Sequence, residues 1–586
     1  MKIISKLQSQ SKFQWLFLLL VCAFSILYLQ RKNGLSNVIS SDGSGYYAYL
    51  PALFIYHEKH FEKTAEVERN VRKLELQQHY LIFDKQGNKY NKCFPGIAAL
   101  QTPFFLLSCL LSWIFGQPVD GYSDIFIVGF YLGSLFYTLA GIFFFNQVLK
   151  RLFPESTASI QWLVPLFYLA TPLLYYSIHT PSISHGYSFF LFALFAWLIL
   201  KLQTQFSFKW MVFLGLTLGA IALIRPTNIL VVLIVPFLLG SWEETKLFFT
   251  KLFQFKGKWL LFGALAFLSF ISILFFSWKL QTGNWIIGAY NGEGFNFGKA
   301  MIFQSLFSFR IGLFLHAPIF ILTVLGLIVL FFRNRFKAFW FTVYFAVNVY
   351  IIASWWCWDY ESSFGARPYT EHAVFLILPI FELLRNWKKW VAISFVFFGL
   401  IGANRLYASL TGIFVNQRFT KQNYIQSLNI WDKKNHDRWN FTLACAPFGK
   451  KVEEINLTSN LSEIEVKPTD LYISTVDFNF PSDRKNKRFY VTAELEKKIF
   501  DADWSDVVLV IDAHSKDEKL RHYQAIPLYN DRFEAKNTWT KFLFEESSDI
   551  DCLKQYDVIR IYIFNSGKKH FMLKNVQFKI NLYQDK

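Results

Sequence analysis

Residues 259–280 read WLLFGALAFLSFISILFFSWKL, an apolar run in which Lys279 is the single charged residue. An α-helix rises about 1.5 Å per residue, so about 20 such residues cross the hydrocarbon core of a bilayer. This stretch is therefore a predicted membrane span. Comparable apolar runs recur through the first 410 residues, and they predict a polytopic α-helical membrane protein with about eleven spans.

The composition agrees with this class of protein. The 586 residues are 53% hydrophobic and 20% aromatic, with 68 Phe. The mean hydropathy is +0.27. The net charge of +18 does not form one basic patch. Many of the basic residues lie in short loops between spans, which is typical of membrane topology rather than of nucleic-acid binding. We therefore expect a membrane as a partner and no nucleic acid.

The basic loops also predict the orientation of the chain. Residues 14–30 follow Lys2, Lys6 and Lys12 and end without a small-residue cleavage pattern, so they are predicted to be a retained first span with the N-terminus inside. Lys and Arg are concentrated in alternate loops, which predicts that those loops face the cytoplasm. They include Lys150, Arg151, Lys201, Lys209, Arg333, Arg335, Lys337, Arg385, Lys388 and Lys389.

One apolar segment, residues 94–115, does not fit this alternation if it crosses the membrane. Counting it as a span would put Lys150 and Arg151 outside and invert every later loop. We therefore predict that this segment lies in the outer interface or dips in and returns. Residues 31–121 then form one long outer loop, and the C-terminal region lies outside the inner, cytoplasmic membrane.

The composition changes after about residue 410. Residues 411–470 are predicted to be a linker, and 471–586 a β-sandwich of jelly-roll type outside the membrane. The strand prediction rests on apolar residues that alternate in segments such as 488–495 and 557–565. Trp504 and Trp539 are compatible with sugar binding by this domain, but packing within it explains them as well.

Polar residues of the transmembrane region, 1–410, gather in the loops predicted to face outward. Asp42 lies just past the first predicted span, in the segment Ser41-Asp42-Gly43. A carboxylate at this rim is suited to act as a general base. The alternative is that Asp42 only caps a helix beginning at Gly43.

Three basic residues of the outer face are candidates for binding a phosphate. Arg367 precedes a late span, and its charge is permanent and its guanidinium bidentate. Lys92 and Arg225 lie in other outer loops. Each of the three is also compatible with an interfacial charge that extends toward the head groups.

Four further residues are candidates for contacts with a substrate. Tyr46 follows Asp42, and His185 lies just before the predicted span 187–203, where it is placed to orient a phosphate or a sugar hydroxyl. The alternative for His185 is a local hydrogen bond at the start of a helix. Trp358 belongs to a Trp-rich run that also resembles an interfacial aromatic belt. Glu361 is a second acid of the same face and a reserve candidate for the base.

The short motifs around these residues resemble those of GT-C superfamily glycosyltransferases. The likeness is to the group of protein O-mannosyltransferases and lipid A aminoarabinose transferases. It rests on Ser41-Asp42 with Tyr46-Tyr47-Ala48, on Lys92-Cys93-Phe94-Pro95-Gly96, on Leu223-Ile224-Arg225-Pro226-Thr227, and on Trp355-Trp356 with Gly365-Ala366-Arg367. It covers about residues 12–410.

The resemblance implies a sugar donor linked to polyprenyl phosphate, an outward-facing site and a catalytic acid in the first outer loop. That acid corresponds to Asp42. Members of the group often carry two adjacent acids there, whereas this chain has Gly43 next.

The expected function is therefore an inverting glycosyl transfer from a polyprenyl-phosphate donor to a glycan, lipid or protein acceptor, with Asp42 as the base. No cofactor is expected, and the sequence does not indicate a divalent cation. Two alternatives remain open at this point: a transporter of polysaccharide or lipid carrier, and a membrane protein that binds glycans without catalysis.

Overall fold

The computed structural model describes most of the chain up to residue 410 and the strands beyond it. The described residues are 38–72, 80–83, 89–255, 257–288, 294–358, 360, 364–410, 424–425, 428, 450–457, 463–479, 487–500, 507–514, 521–528, 537–547, 557–584 and five isolated residues before 38. The chain divides into two compact units, residues 1–406 and 407–586.

Within the described residues, the first unit is helical apart from a short hairpin of β1 (Leu81–Phe83) and β2 (Lys89–Asn91). Its α-helices are α1 Asp42–Phe54, α2 Glu62–Arg72, α3 Gly96–Ile114, α4 Asp124–Leu152, α5 Thr157–Ala170, α6 Leu173–Ile178, α7 His185–Thr204, α8 Phe208–Ile224, α9 Val235–Leu239, α10 Trp242–Thr250, α11 Gly257–Thr282, α12 Ile302–Phe307, α13 Leu313–His316, α14 Ile321–Arg333, α15 Arg335–Ala353, α16 Ala373–Leu376 and α17 Leu378–Leu410. Helix α17, whose last residues fall in the second unit, is kinked at Trp387. Short 3-10 turns connect several of them, among them Pro226–Ile234 and Arg367–Tyr369.

Six helices of the described residues are long and apolar enough to cross a membrane. They are α3, α4, α7, α11, α15 and the Trp387–Ala408 part of α17. A bent pair, Pro226–Leu239 with Trp242–Phe253, makes a seventh if it counts as one span. Side chains of α11 such as Leu265 and Leu268 are about half exposed, as expected of a helix that faces lipid.

The described residues thus contain fewer long apolar helices than the eleven spans that we predict. The first predicted span lies mostly outside the described residues. Three other apolar helices, Ser159–Ala170, Phe208–Ile224 and Pro318–Arg333, have only 10–17 residues each. Helix α3, which we predict to lie in the outer interface, is among the six, so its length and composition also suit a crossing. The orientation of the chain stays a prediction.

The second unit contains two antiparallel sheets. The strands are β3 Lys450–Asn456, β4 Ile464–Val466, β5 Tyr472–Asn479, β6 Lys487–Ile499, β7 Val507–His514, β8 Arg521–Pro527, β9 Thr540–Ser547, β10 Val558–Asn565 and β11 Phe571–Gln584. One sheet has the order β5-β10-β7-β8, and the other has β3-β11-β6-β9 with β4 also paired to β11.

Residues of both sheets share one apolar core, as a β-sandwich requires. Leu509 and Ile561 of the first sheet and Leu495 and Phe578 of the second belong to the same buried cluster. Strands β3 and β4 lie before residue 471, in the segment that we predict to be a linker. Both pair with β11, so this part of the segment belongs to the second sheet.

The two Trp residues considered for sugar binding are Trp504 and Trp539. The Lys574 ammonium lies 4.2 Å from the centre of the Trp539 ring. Trp504 lies outside the described residues.

Candidate functional site

Asp42 is the first residue of helix α1, and Ser41 is its N-cap residue. Asp42 is therefore not the cap of a helix that begins at Gly43. Gly43 lies against Ser182, because a Cβ atom added at residue 43 would be 2.0 Å from the Ser182 Oγ. The backbone N–H of Ser40 donates a hydrogen bond to that same oxygen (3.3 Å). A second acid at residue 43 would overlap Ser182, which explains why a single acid stands here.

The Asp42 carboxylate pairs with Arg367, which lies 325 residues further along the chain. The distance from Arg367 Nη2 to Asp42 Oδ2 is 3.4 Å, and the side chains are 19% and 41% exposed. The Arg367 guanidinium also lies over the Tyr360 ring, 5.7 Å from its centre. Its Nε is buried without a hydrogen-bond partner among the described residues.

The pKa of Arg367 reflects this pairing. Burial disfavours the charged guanidinium, but the Asp42 carboxylate together with the nearby Tyr176 and Tyr46 side chains outweighs it, and the pKa is raised above its ordinary value. Arg225 acts in the opposite direction, so the two arginines lie within electrostatic range of each other. Burial, followed by the Asp42 charge, raises the pKa of the buried Tyr46 phenol well above its ordinary value. Tyr46 is therefore a neutral hydrogen-bond donor beside Asp42.

A second group of polar side chains surrounds the buried carboxylate of Glu371. Its Oε2 lies 2.7 Å from the Nδ1 of His185, which must carry the proton because the ionised carboxylate only accepts. Its Oε1 accepts hydrogen bonds from Arg225 Nη1 (3.4 Å) and Asn228 Nδ2 (3.3 Å). Arg225 follows α8, and Asn228 lies in the 3-10 turn after it.

A cavity of about 180 Å³ opens beside these residues. The side chains on its apolar wall are Phe94, Phe295, Ile351, Ile352 and Trp355. Arg225, Asn228, Asn348 and His372 form its polar side, together with Tyr360 and the Pro226-Thr227 segment. The cavity is therefore amphipathic, because its lining combines a permanent cation with aromatic and aliphatic side chains.

Glycines allow close contacts around the segment that connects β2 to α3. A Cβ atom at Gly96 would be 2.6 Å from the backbone nitrogen of Ile224, so the start of α3 touches the end of α8 beside Arg225. A Cβ atom at Gly45 would be 2.5 Å from Cys93 Sγ. Cys93 thus lies against α1, and the next residue, Phe94, lines the cavity together with Arg225.

The structure brings together four of the residues that the sequence singles out. Asp42, Tyr46, Arg225 and Arg367 lie within electrostatic range of one another. His185 joins them through Glu371, and it is almost fully buried.

For the other three predicted residues the structure shows no contact with this group among the described residues. Lys92 follows β2, and its backbone N–H donates to the carbonyl of Tyr80 (2.9 Å). Trp358 is half-buried in a turn after α15. Glu361 lies outside the described residues.

Sequence reasoning missed Glu371 and Asn228. Glu371 begins the apolar stretch before α16, and an acid at the edge of such a stretch is costly unless it is paired. The cost of an unpaired acid at this position is the feature of the sequence that indicates a role for Glu371. Among the residues that the structure describes, no group of three or more His, Cys, Asp and Glu side chains is arranged to hold a metal ion.

Comparison with known proteins shows only a low similarity. No family model matches the chain, and no curated protein matches it. Among solved structures, the chain is similar to arabinosyltransferase EmbB from Mycobacterium smegmatis, determined by cryo-electron microscopy. The identity is 11% and the TM-score 0.35, with 97% of this chain and 67% of that chain covered. So low an overlap does not establish a shared fold.

Proposed function

We propose that this protein is an integral membrane glycosyltransferase of the GT-C type. It transfers a sugar from a polyprenyl-phosphate donor to an acceptor outside the inner membrane. The observation that carries the proposal is the Asp42–Arg367 pair, 3.4 Å apart, with the partly exposed Arg225 close by. In this proposal the acid serves as the proton acceptor and the two arginines bind the phosphate leaving group, and Arg225 also lines the amphipathic cavity.

In this proposal Arg367 and Arg225 bind the donor phosphate, with Lys92 as a third cation. Arginine suits this role because its planar fork binds phosphate oxygens in pairs and remains charged. Their charge stabilises the polyprenyl phosphate as it leaves the anomeric carbon. The apolar wall of the cavity receives the part of the donor next to the phosphate. Tyr46, His185, Trp358 and Glu361 are proposed contacts of the sugar.

Asp42 acts as the general base. It removes the proton of the acceptor hydroxyl while the hydroxyl oxygen attacks the anomeric carbon from the face opposite the phosphate. A bond forms between that oxygen and the carbon as the carbon–phosphate oxygen bond breaks, so the configuration inverts. The proton moves to Asp42, and the electron pair leaves with the phosphate. A phosphate bound to Arg367 would compete for the guanidinium and make the Asp42 carboxylate available.

The acceptor is a glycan, a lipid or a protein at the outer surface. The N-terminus is proposed to be inside, with 31–121 and the second unit outside.

A transfer assay tests this function. The purified protein is reconstituted in liposomes with short polyprenyl-phosphate sugars and a panel of acceptors, and mass spectrometry follows the release of free polyprenyl phosphate. We expect release that depends on the acceptor and on Asp42. If no donor in the panel is bound or consumed, the proposal is wrong.

A further inference from the structure

Glu371 is a buried acid around which the cationic and amide side chains of the site are arranged. Its side chain is 0% exposed, and both of its oxygens accept hydrogen bonds, from His185, Arg225 and Asn228. An ionised carboxylate removed from water is unfavourable unless it is paired and hydrogen-bonded. The arrangement is therefore retained at a cost in solvation, which calls for a role beyond filling space.

The first connection of Glu371 is direct and leads to Arg225. The Glu371 carboxylate contacts the Nη1 of Arg225, whose side chain is 25% exposed and lines the cavity. Asn228, bonded to the same oxygen, also donates to Ser188 Oγ (3.3 Å) and so connects the 3-10 turn after Arg225 to α7. Glu371 thus restrains one end of the guanidinium and the turn that carries it.

The second connection leads to Arg367 through two aromatic side chains. The His185 ring that Glu371 holds packs edge-on against Tyr176, with 4.9 Å between ring centres. The Tyr176 hydroxyl accepts from the backbone N–H of Phe364 (2.9 Å) and donates to its carbonyl (3.1 Å). Phe364 lies three residues before Arg367, next to Gly365, which has a φ of +61°. A tight backbone segment therefore connects this contact to Arg367.

We propose that Glu371 is a positioning residue that sets both arginines for the donor phosphate. The inference rests on the proposed function, because it assigns Glu371 a role in that same site. It predicts a change in phosphate affinity, on removal of Glu371, that is opposite to the change expected from charge repulsion alone. A carboxylate beside Arg225 repels a phosphate, so its removal would strengthen phosphate binding if charge alone mattered. If Glu371 holds the arginines in place, its removal weakens binding.

The test is the affinity of Glu371→Gln for farnesyl phosphate and for inorganic phosphate, measured by calorimetry on the full-length protein in detergent. The neutral amide accepts weaker hydrogen bonds than a carboxylate, so we expect about tenfold weaker binding of farnesyl phosphate. The matched control is Glu382→Gln. Glu382 is also a buried acid, 8% exposed, whose Oε2 lies 3.4 Å from Arg333 Nη1. The control should bind as the parent does.

A double variant shows whether Glu371 acts through Arg225. Effects of residues in one network are not additive, so Glu371→Gln should add less than about twofold to the loss caused by Arg225→Ala. Tyr176→Phe is a second, milder variant that tests the connection from His185 through Phe364 to Arg367. It serves if Glu371→Gln does not fold. It removes one hydroxyl and should weaken binding by about fivefold, as for one net hydrogen bond.

The results of these measurements distinguish a failure of the Glu371 inference from a failure of the proposed function. If the parent binds farnesyl phosphate and Glu371→Gln binds it equally or more tightly, the inference is overturned and the proposed function stands. If Glu371→Gln does not fold, an unchanged affinity in Tyr176→Phe overturns it instead. If the parent binds neither farnesyl phosphate nor inorganic phosphate, the proposed function fails and the inference fails with it.

Discussion

Replacing Asp42 by Asn distinguishes a base from a residue that only pairs with Arg367. Asn keeps the size of the side chain but does not take up a proton. General-base catalysis contributes about a hundredfold to ten-thousandfold, or about 2.7–5.4 kcal/mol of the activation barrier. The ion pair with Arg367 is much less important for stability, because Asp42 is 41% exposed and such pairs contribute about 0–1 kcal/mol. Turnover should therefore fall far more than the free energy of unfolding.

The assay compares the turnover, donor affinity and unfolding temperature of Asp42→Asn with those of the parent. Donor affinity should be kept or increased, because Arg367 loses a competing anion. Glu155→Gln is a matched control, since Glu155 is 45% exposed and pairs with Arg385 at 3.1 Å. That variant should lose neither turnover nor much stability. Transfer by Asp42→Asn at the parental rate would refute the reasoning and make Glu361 the next acid to test.

Three further predictions concern binding, packing and topology. Arg367→Lys keeps the charge but loses the fork, so the dissociation constant of farnesyl phosphate should rise about tenfold, and an unchanged value would argue against a phosphate contact. Gly43→Ala places a methyl group against Ser182 and should lower the free energy of unfolding by about 1–3 kcal/mol, whereas Gly257→Ala, which meets no atom within 4 Å, should not lower it. Cysteine placed at Lys150 should react with an impermeant maleimide only from the cytoplasmic side, and labelling from outside would mean that α3 crosses the membrane.

The sequence alone predicts those features that depend on neighbours along the chain. Apolar runs such as 259–280 predict a helix that suits a bilayer, and the structure has α11 at Gly257–Thr282. Alternation in 557–565 predicts a strand because successive side chains point to opposite faces, and β10 occupies Val558–Asn565. Asp42 and Arg367 also stand out in the sequence, because each is a charged residue next to a predicted span and each suggests a chemical role.

Only the tertiary structure decides which of these residues meet. The partners of Glu371 are 143, 146 and 186 residues away in the chain, and no local period relates them. The same holds for Ser182, whose contact with Gly43 excludes a second acid. Strands β3 and β4 illustrate the limit in the second unit, because they lie in the predicted linker and are defined by their pairing with β11. Residue types and local periods thus determine the helices, the longer strands and the candidate acids and arginines, whereas the distances that turn these candidates into one site arise from long-range packing.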